Sequence, residues 1–338
     1  MMIRARQSPE SIAAFATVGM GILVLYFFFP YAAALFTETI RISIFHKAWF
    51  SWMNLEEWGH GVMVGPISLA IVYLKRKELA AIPIQGSAWG LLLLGLGLLF
   101  YFAGFIADVD YAGYFAFNFT LAGLILWFLG VRWMKALIFP WFFLFFMWPM
   151  PYLDNVIAFP LRMLMSQSSH IILNLIGVAN VRSGTAVLSA ADPARHLAEG
   201  ARFAIDVADP CSGIHSLFAL VMVSALYGYF AVDTTWKKVA IFFLAIPLAI
   251  VGNMGRLILL TFGTILWGSA FAVGTLDHPT WFHMGAGYFV FAIAIGGMIG
   301  AGALLQRLPA SLLSKSGRPS SPAAASSTVK PSPRSESY

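Results

Sequence analysis

Cysteine is almost missing from this chain: among 338 residues there is one, Cys211. A lone thiol cannot close a disulfide within its own chain, and the seven histidines are scattered with no Cys/His spacing suited to a metal. No His-Glu-x-x-His run occurs either. Charge is scarce as well. Charged residues make up 11% and hydrophobic residues 59%, where a soluble domain carries roughly 25% charge. That excludes an ordinary soluble fold. The net charge is +6, but no basic patch interleaved with aromatics lies on a polar face, so nucleic acid is not an expected partner. Gly296-Gly297 and Gly300 lie within an apolar run and read as helix packing, not as a phosphate cradle. No metal and no cofactor is expected.

What is present is length and apolarity. A span needs about 20 mainly apolar residues, and eight segments qualify: 12–35, 58–74, 88–107, 112–130, 136–153, 211–232, 239–268 and 283–306. The second is the weakest, short and interrupted by Gly65-Pro66. Arg4 and Arg6 precede the first run in the manner of a signal peptide, but Ile12 to Phe36 lacks a small-residue cleavage pattern and is long enough to stay as a helix. The expected fold is therefore an all-α polytopic membrane protein of about eight transmembrane helices. Basic residues cluster beside the spans on one side, as in Lys75-Arg76-Lys77 and Lys237-Lys238. The positive-inside bias then puts both termini in the cytoplasm and segment 154–210 outside. Within that segment, 155–178 reads as an amphipathic interfacial helix and 180–208 as short strands or an extended loop. Residues 1–307 form the membrane domain. The Ser/Pro/Ala-rich tail 308–338 is expected to be disordered and cytoplasmic.

Helical rise converts spans to depths. At ~1.5 Å per residue, Cys211 lies about 32 Å from Val232, Arg256 about 27 Å from Lys238, and His283 about 36 Å from Arg307. A hydrocarbon core is roughly 30 Å thick. Three chemically capable side chains from three helices thus reach the same outer border.

Each has a plainer reading. Free cysteine is commonly a small buried hydrophobe, but Asp209 can cap a helix here and Pro210 suits its first turn, which places Cys211 near exposed N–H donors that favour thiolate. Asp209 itself opposes that effect, and a neighbouring Arg256 offsets it. Arg256 lies inside the longest apolar run, where a guanidinium costs about 2.5–3.5 kcal/mol at span centre, and such residues generally face the bundle interior. Its neighbours Gly252, Asn253 and Gly255 offer close helix approach and an amide for interhelical hydrogen bonding. Among the histidines, His46, His60, His170 and His196 have no cysteine nearby in sequence. His215 shares a helix face with Cys211, and His283 opens the last span. On residue chemistry alone these two are equal candidates for the base.

The order of these elements resembles the exosortase/archaeosortase family. The residues that carry the likeness are His60-Gly61 through Pro66 with Tyr73-Leu74-Lys75-Arg76-Lys77, then Trp148-Pro149-Met150-Pro151, then Cys211-Ser212-Gly213-Ile214. Asn253-Met254-Gly255-Arg256 and His283 with Gly287 complete it. His278 does not fit the last pattern, because Phe282 occupies its glycine position. Two features depart from the family pattern: His215 stands where relatives often carry an Arg or another polar residue, and Ala190–Gly200 holds insertions.

The resemblance implies a multi-spanning cysteine protease/transpeptidase of the cytoplasmic (inner) membrane. Its partners would be exported proteins bearing a C-terminal sorting signal, and membrane lipids. It implies Cys211 as nucleophile, His283 as acid and base, and Arg256 as oxyanion or thiolate stabiliser, with Asn253 and His215 in support. The rival expectation is a transporter or scaffold of polysaccharide export, without catalysis, in which these residues are individually replaceable.

Overall fold

Pro30 marks where the first apolar run stops being helical. The computed structural model describes residues 9–34, 37–54, 58–150, 156–157, 159–206, 214–275 and 278–307. In order, its elements are α1 (Pro9–Phe28), β1 (Ala32–Ala34), β2 (Thr37–Ile42), α2 (Ile44–Asn54), α3 (Gly61–Leu74), α4 (Arg76–Ala80), α5 (Trp89–Ile106) and α6 (Asp110–Leu124). A π turn, Ile125–Leu129, prolongs α6. There follow α7 (Val131–Phe143) with a 3₁₀ turn (Leu144–Met147), α8 (Phe159–Leu175), β3 (Asn180–Ser183), β4 (Ala186–Ser189), β5 (Ala204–Asp206), α9 (Ile214–Ala231), α10 (Thr235–Trp267), α11 (Ser269–Ala272) and α12 (Trp281–Arg307).

Among the described residues, four helices are long and apolar enough to cross a membrane: Trp89–Ile106, Asp110–Leu129, Thr235–Trp267 and Trp281–Arg307. Ala13–Phe28, Gly61–Leu74 and Leu217–Ala231 are shorter apolar helices. Four of the eight expected spans are thus helices of full length, and the causes of the shortening elsewhere are local. Proline ends a helix because it lacks the N–H and crowds the carbonyl four residues back, so 12–35 ends at Phe28, two residues before Pro30, and the chain turns into an antiparallel β1–β2 hairpin. Segment 136–153 breaks likewise: α7 carries Pro140 and tightens into the 3₁₀ turn before Pro149. There Lys75 donates from Nζ to the Ala136 carbonyl at 3.1 Å, the acceptor that Pro140 leaves without its helical partner.

The chain is not purely helical. Residues 180–206 hold a three-stranded antiparallel sheet in the order β3-β4-β5, the strands expected for that stretch. The interfacial helix expected at 155–178 is α8. No helix is expected from sequence between the first two spans, yet α2 lies there. Its buried Ile44, Ala48 and Ser51 form one stripe, while Trp49, Phe50 and Met53 are exposed on the other side.

Packing gives the bundle two distinct ends. At one, Lys75 meets α7, Tyr229 of α9 stacks on Phe139 with ring centroids 3.8 Å apart, Lys238 of α10 donates to the Tyr229 carbonyl, and Gln306 reaches the Ala231 carbonyl. At the other, Arg41 pairs with Asp108 at 3.1 Å, Lys47 pairs with Asp110, and the Trp52 indole donates to the Met147 carbonyl at 2.8 Å. Helices α5 and α6 are held by a seam of Gly90, Leu94, Gly97, Tyr101 and Gly104. This alternation of three and four residues keeps one face of α5 toward its neighbour. Glycine is required at Gly97, where a Cβ would lie 2.5 Å from Thr120 Oγ1 and 2.8 Å from its nitrogen.

The second half of the chain forms its own core. Val187, Phe203 and Ile205 of the sheet pack with Met165 and Leu173 of α8 onto Leu257 and Leu260 of α10 and Ala286 of α12. Deeper along the helices, Leu217 and Leu220 of α9 pack on Ala245, Ala249 and Ala294. The sheet and α8 therefore sit over the same stretch of α10 and α12 that carries the charged candidates.

Candidate active site

Helices α10 and α12 run antiparallel, and small residues let them touch. A Cβ on Gly252 would meet Val290 Cγ1 at 2.9 Å, and one on Gly263 would meet Phe282 Cε1 at 2.5 Å. Between these two contacts lies Arg256. Its guanidinium rests on the backbone of Gly287, where a Cβ would come within 3.2 Å of Cζ and Nη2. One helical turn before Gly287, on the same face, is His283, buried at 5% exposure. The guanidinium is close enough to act electrostatically on the imidazole. The spacing of His283 and Gly287 thus has a steric basis: the imidazole stands one turn above a gap that admits the arginine.

Local sequence fixes the imidazole. Thr280 accepts the backbone N–H of His283 on its hydroxyl at 3.1 Å and its carbonyl accepts that of Met284, so Thr280 caps α12. A threonine three residues ahead of the histidine, after Pro279, is a sequence-level cap signal, and the sequence reading passed over it. The chain arrives there through a turn in which Gly274 adopts φ +84°. A Cβ at Gly274 would lie 2.6 Å from the His278 carbonyl oxygen.

Asn253 sits one turn before Leu257 on the buried face of α10, at 8% exposure. With Arg256, Gly252, Gly287 and Leu220 it lines a cleft of about 20 Å³ between α9, α10 and α12, room for about one water.

The predicted residues are distributed as follows. Arg256 shares a cleft with Asn253 and lies within electrostatic reach of His283. Cys211 lies outside the described residues, as does the tail 308–338. His215 falls in the first turn of α9. Other histidines have separate engagements: His170 Nδ1 lies 2.7 Å from Asn180 Oδ1, His46 stacks on Phe50, and His60 stacks on Phe218 of α9 with centroids 6.2 Å apart. His60 follows the buried Trp58, whose ring also packs on Phe218. This fastens the start of α3 to α9, a contact that no sequence spacing announces.

A family model for transmembrane exosortases matches residues 52–300, well over half of the chain. The chain belongs to the transmembrane exosortase family. No curated protein and no solved structure matches it. Exosortases are a family of multi-pass membrane proteins and, as a class, cysteine transpeptidases. The matched region contains α10 and α12 as far as residue 300, and so the Arg256, Gly287 and His283 arrangement.

Proposed function

We propose that this exosortase is a membrane cysteine transpeptidase. It cleaves C-terminal sorting signals of exported proteins on the outer face of the cytoplasmic membrane and transfers the remaining protein to an acceptor. The observation that carries this reading is the juxtaposition of Arg256 and His283 across Gly287, in a chain of this family with a single thiol.

Helix register supports the place of the thiol. Tyr227 of α9 donates to the Ile299 carbonyl of α12 at 3.4 Å. From Tyr227 back to Ile214, the first described residue of α9, is about 20 Å of helical rise, and the same rise from Ile299 reaches Ala286, next to Gly287. Against α10, the backbone of Gly228 lies beside Lys238, and from there Arg256 is about 27 Å away and Ile214 about 21 Å. The thiol stands three residues before Ile214 in the sequence.

In the proposed reaction, Cys211 attacks a peptide carbonyl as thiolate. The C–N bond breaks, a thioester forms, and His283 gives its proton to the departing amine. Arg256 stabilises the oxyanion of the tetrahedral intermediate. An acceptor amine, deprotonated by His283, then attacks the thioester, and the thiolate leaves. Asn253 and His215 are supporting groups.

The orientation rests on charge. The end holding Lys75, Arg76, Lys77, Arg132, Lys135, Lys237, Lys238 and Arg307 carries only Glu10, Glu78 and Asp233 in opposition among the described residues, whereas the other end mixes arginines with Asp108, Asp110, Asp192 and Asp206. The positive-inside rule makes the first end cytoplasmic and the site extracytoplasmic. With alternating ends, α1, α3, α5, α6, α7, α9, α10 and α12 then supply the eight crossings.

The decisive test is cleavage of a tagged C-terminal substrate by wild-type protein and by Cys211→Ala, His283→Gln and Arg256→Gln, each verified as folded and membrane-inserted. Loss of cleavage in all three is expected, with an intermediate captured on Cys211 by a nucleophile in the wild type. Normal cleavage by Cys211→Ala would overturn the proposal. A membrane-impermeant maleimide has one possible target and should label it from outside the cell.

A further inference from the structure

At the end of the bundle opposite Arg256, cations from two helices share one aromatic ring. Lys75, just past the end of α3, has its Nζ 5.8 Å from the centroid of Tyr229, and Lys238, in the first turn of α10, has its Nζ 5.4 Å from it. Phe139 of α7 stacks on the same ring. Four helices meet there, and α9, α10 and α7 contribute no carboxylate from their own sequences. Glu78 lies 3.6 Å from Lys75 with a mostly exposed side chain.

An ammonium group has three donors. Lys75 uses one on the Ala136 carbonyl and Lys238 one on the Tyr229 carbonyl. Each amine has further donors, and both lie within 6 Å of the centroid of the Tyr229 ring. Concentrated like charge at a helix junction is stabilised by an anion that can approach from the membrane surface, and basic pockets between helices at this depth suit lipid headgroups. The tyrosine and phenylalanine rings supply an apolar wall for the glycerol backbone and upper acyl chain.

We infer that Lys75 and Lys238 at Tyr229 form a binding site for the phosphodiester of an anionic phospholipid, one per chain, at the α3–α7–α9–α10 junction. The site ties α9 to α10 at the end far from Arg256, and it stands independently of the catalytic reading.

The test is native mass spectrometry of the full-length chain released from detergent, titrated with phosphatidylglycerol or phosphatidylcholine. One tightly retained phosphatidylglycerol is expected, with phosphatidylcholine lost at lower activation. Lys238→Gln should weaken retention about fivefold, the effect of removing one lysine near a charged headgroup, and Lys238→Arg should restore it. Lys77→Gln, an exposed neighbour outside the cluster, should match wild type. Equal retention of both lipids, unchanged retention in Lys238→Gln, or equal weakening by Lys77→Gln would overturn the site. Displacement of the lipid by millimolar inorganic phosphate would overturn the headgroup assignment in favour of the free ion. Should Lys238→Gln not fold, Lys75→Gln in a Pro140→Ala background tests the same cluster, since the restored amide can serve Ala136.

Discussion

Arg256 lies across the backbone of Gly287, and the space it occupies is the space a side chain there would take. A Cβ added at Gly287 would stand 3.2 Å from the guanidinium carbon, so Gly287→Ala must push the cation by a few tenths of an ångström. Because it sits one turn from His283, the shift acts on the relative geometry of the two groups. Small misplacements of catalytic groups are costly, on the order of a hundredfold for an ångström. Gly287→Ala is expected to retain fold and membrane insertion while substrate cleavage falls about tenfold. Gly285→Ala, two residues away and facing open space, should cleave at the wild-type rate. Equal rates for the two variants would remove Gly287 from the site.

Thr280 makes a related prediction through a different physical effect. Its hydroxyl accepts the His283 N–H, so Thr280→Val removes the cap of α12 while preserving shape. Loss of a cap costs about 1 kcal/mol, too little to unfold a bundle of this size. The expected result is faster hydrogen exchange confined to the first turn of α12, with a several-fold loss of cleavage. Thr280→Ser should retain both properties.

Much of this arrangement was legible before any coordinates. The runs that became α5, α6, α10 and α12 each hold an apolar stretch of 18 residues or more, long enough that α10 stays helical through Pro247. Arg256 stood out because a guanidinium in such a run needs a reason. The errors arose where a proline or a short amphipathic pattern decides the outcome. Pro30 turned the end of one run into a hairpin, Pro140 with Pro149 broke another, and the four-and-three spacing of Ile44, Ala48 and Ser51 was masked by the aromatic Phe45, Trp49 and Phe50 between them. Neither the His60–Phe218 contact nor the seat of Arg256 on Gly287 was readable, since both depend on how distant helices are placed side by side, which periodicity along one helix does not encode.

The α5–α6 seam offers a test of how the helices find that placement. Gly97 meets Thr120 backbone and side chain so closely that any larger residue forces the helices apart. Gly97→Leu is expected to lower the folded, monodisperse fraction on size-exclusion chromatography several-fold. Gly95→Leu, on the same helix with nothing within 4 Å, should elute as wild type. The contrast separates packing from any general effect of leucine in a span, because both sites gain the same apolar surface.

Lys75 and Pro140 should behave as a coupled pair. Pro140 denies the Ala136 carbonyl its helical N–H donor, and the Lys75 ammonium supplies a replacement at 3.1 Å. Leaving a buried acceptor unsatisfied costs about 1–3 kcal/mol. Lys75→Met alone should therefore lower the thermal midpoint in detergent by several degrees. In a Pro140→Ala background the restored amide reaches Ala136 from within α7, and the same lysine substitution should cost much less. Pro140→Ala by itself should be neutral or mildly stabilising in the presence of Lys75. A double-mutant cycle built on these four proteins is expected to show a coupling of about 1 kcal/mol. Strict additivity would mean that Lys75 is held at this end of the bundle by its ring contact with Tyr229 or by Glu78, with the proline-freed carbonyl a bystander.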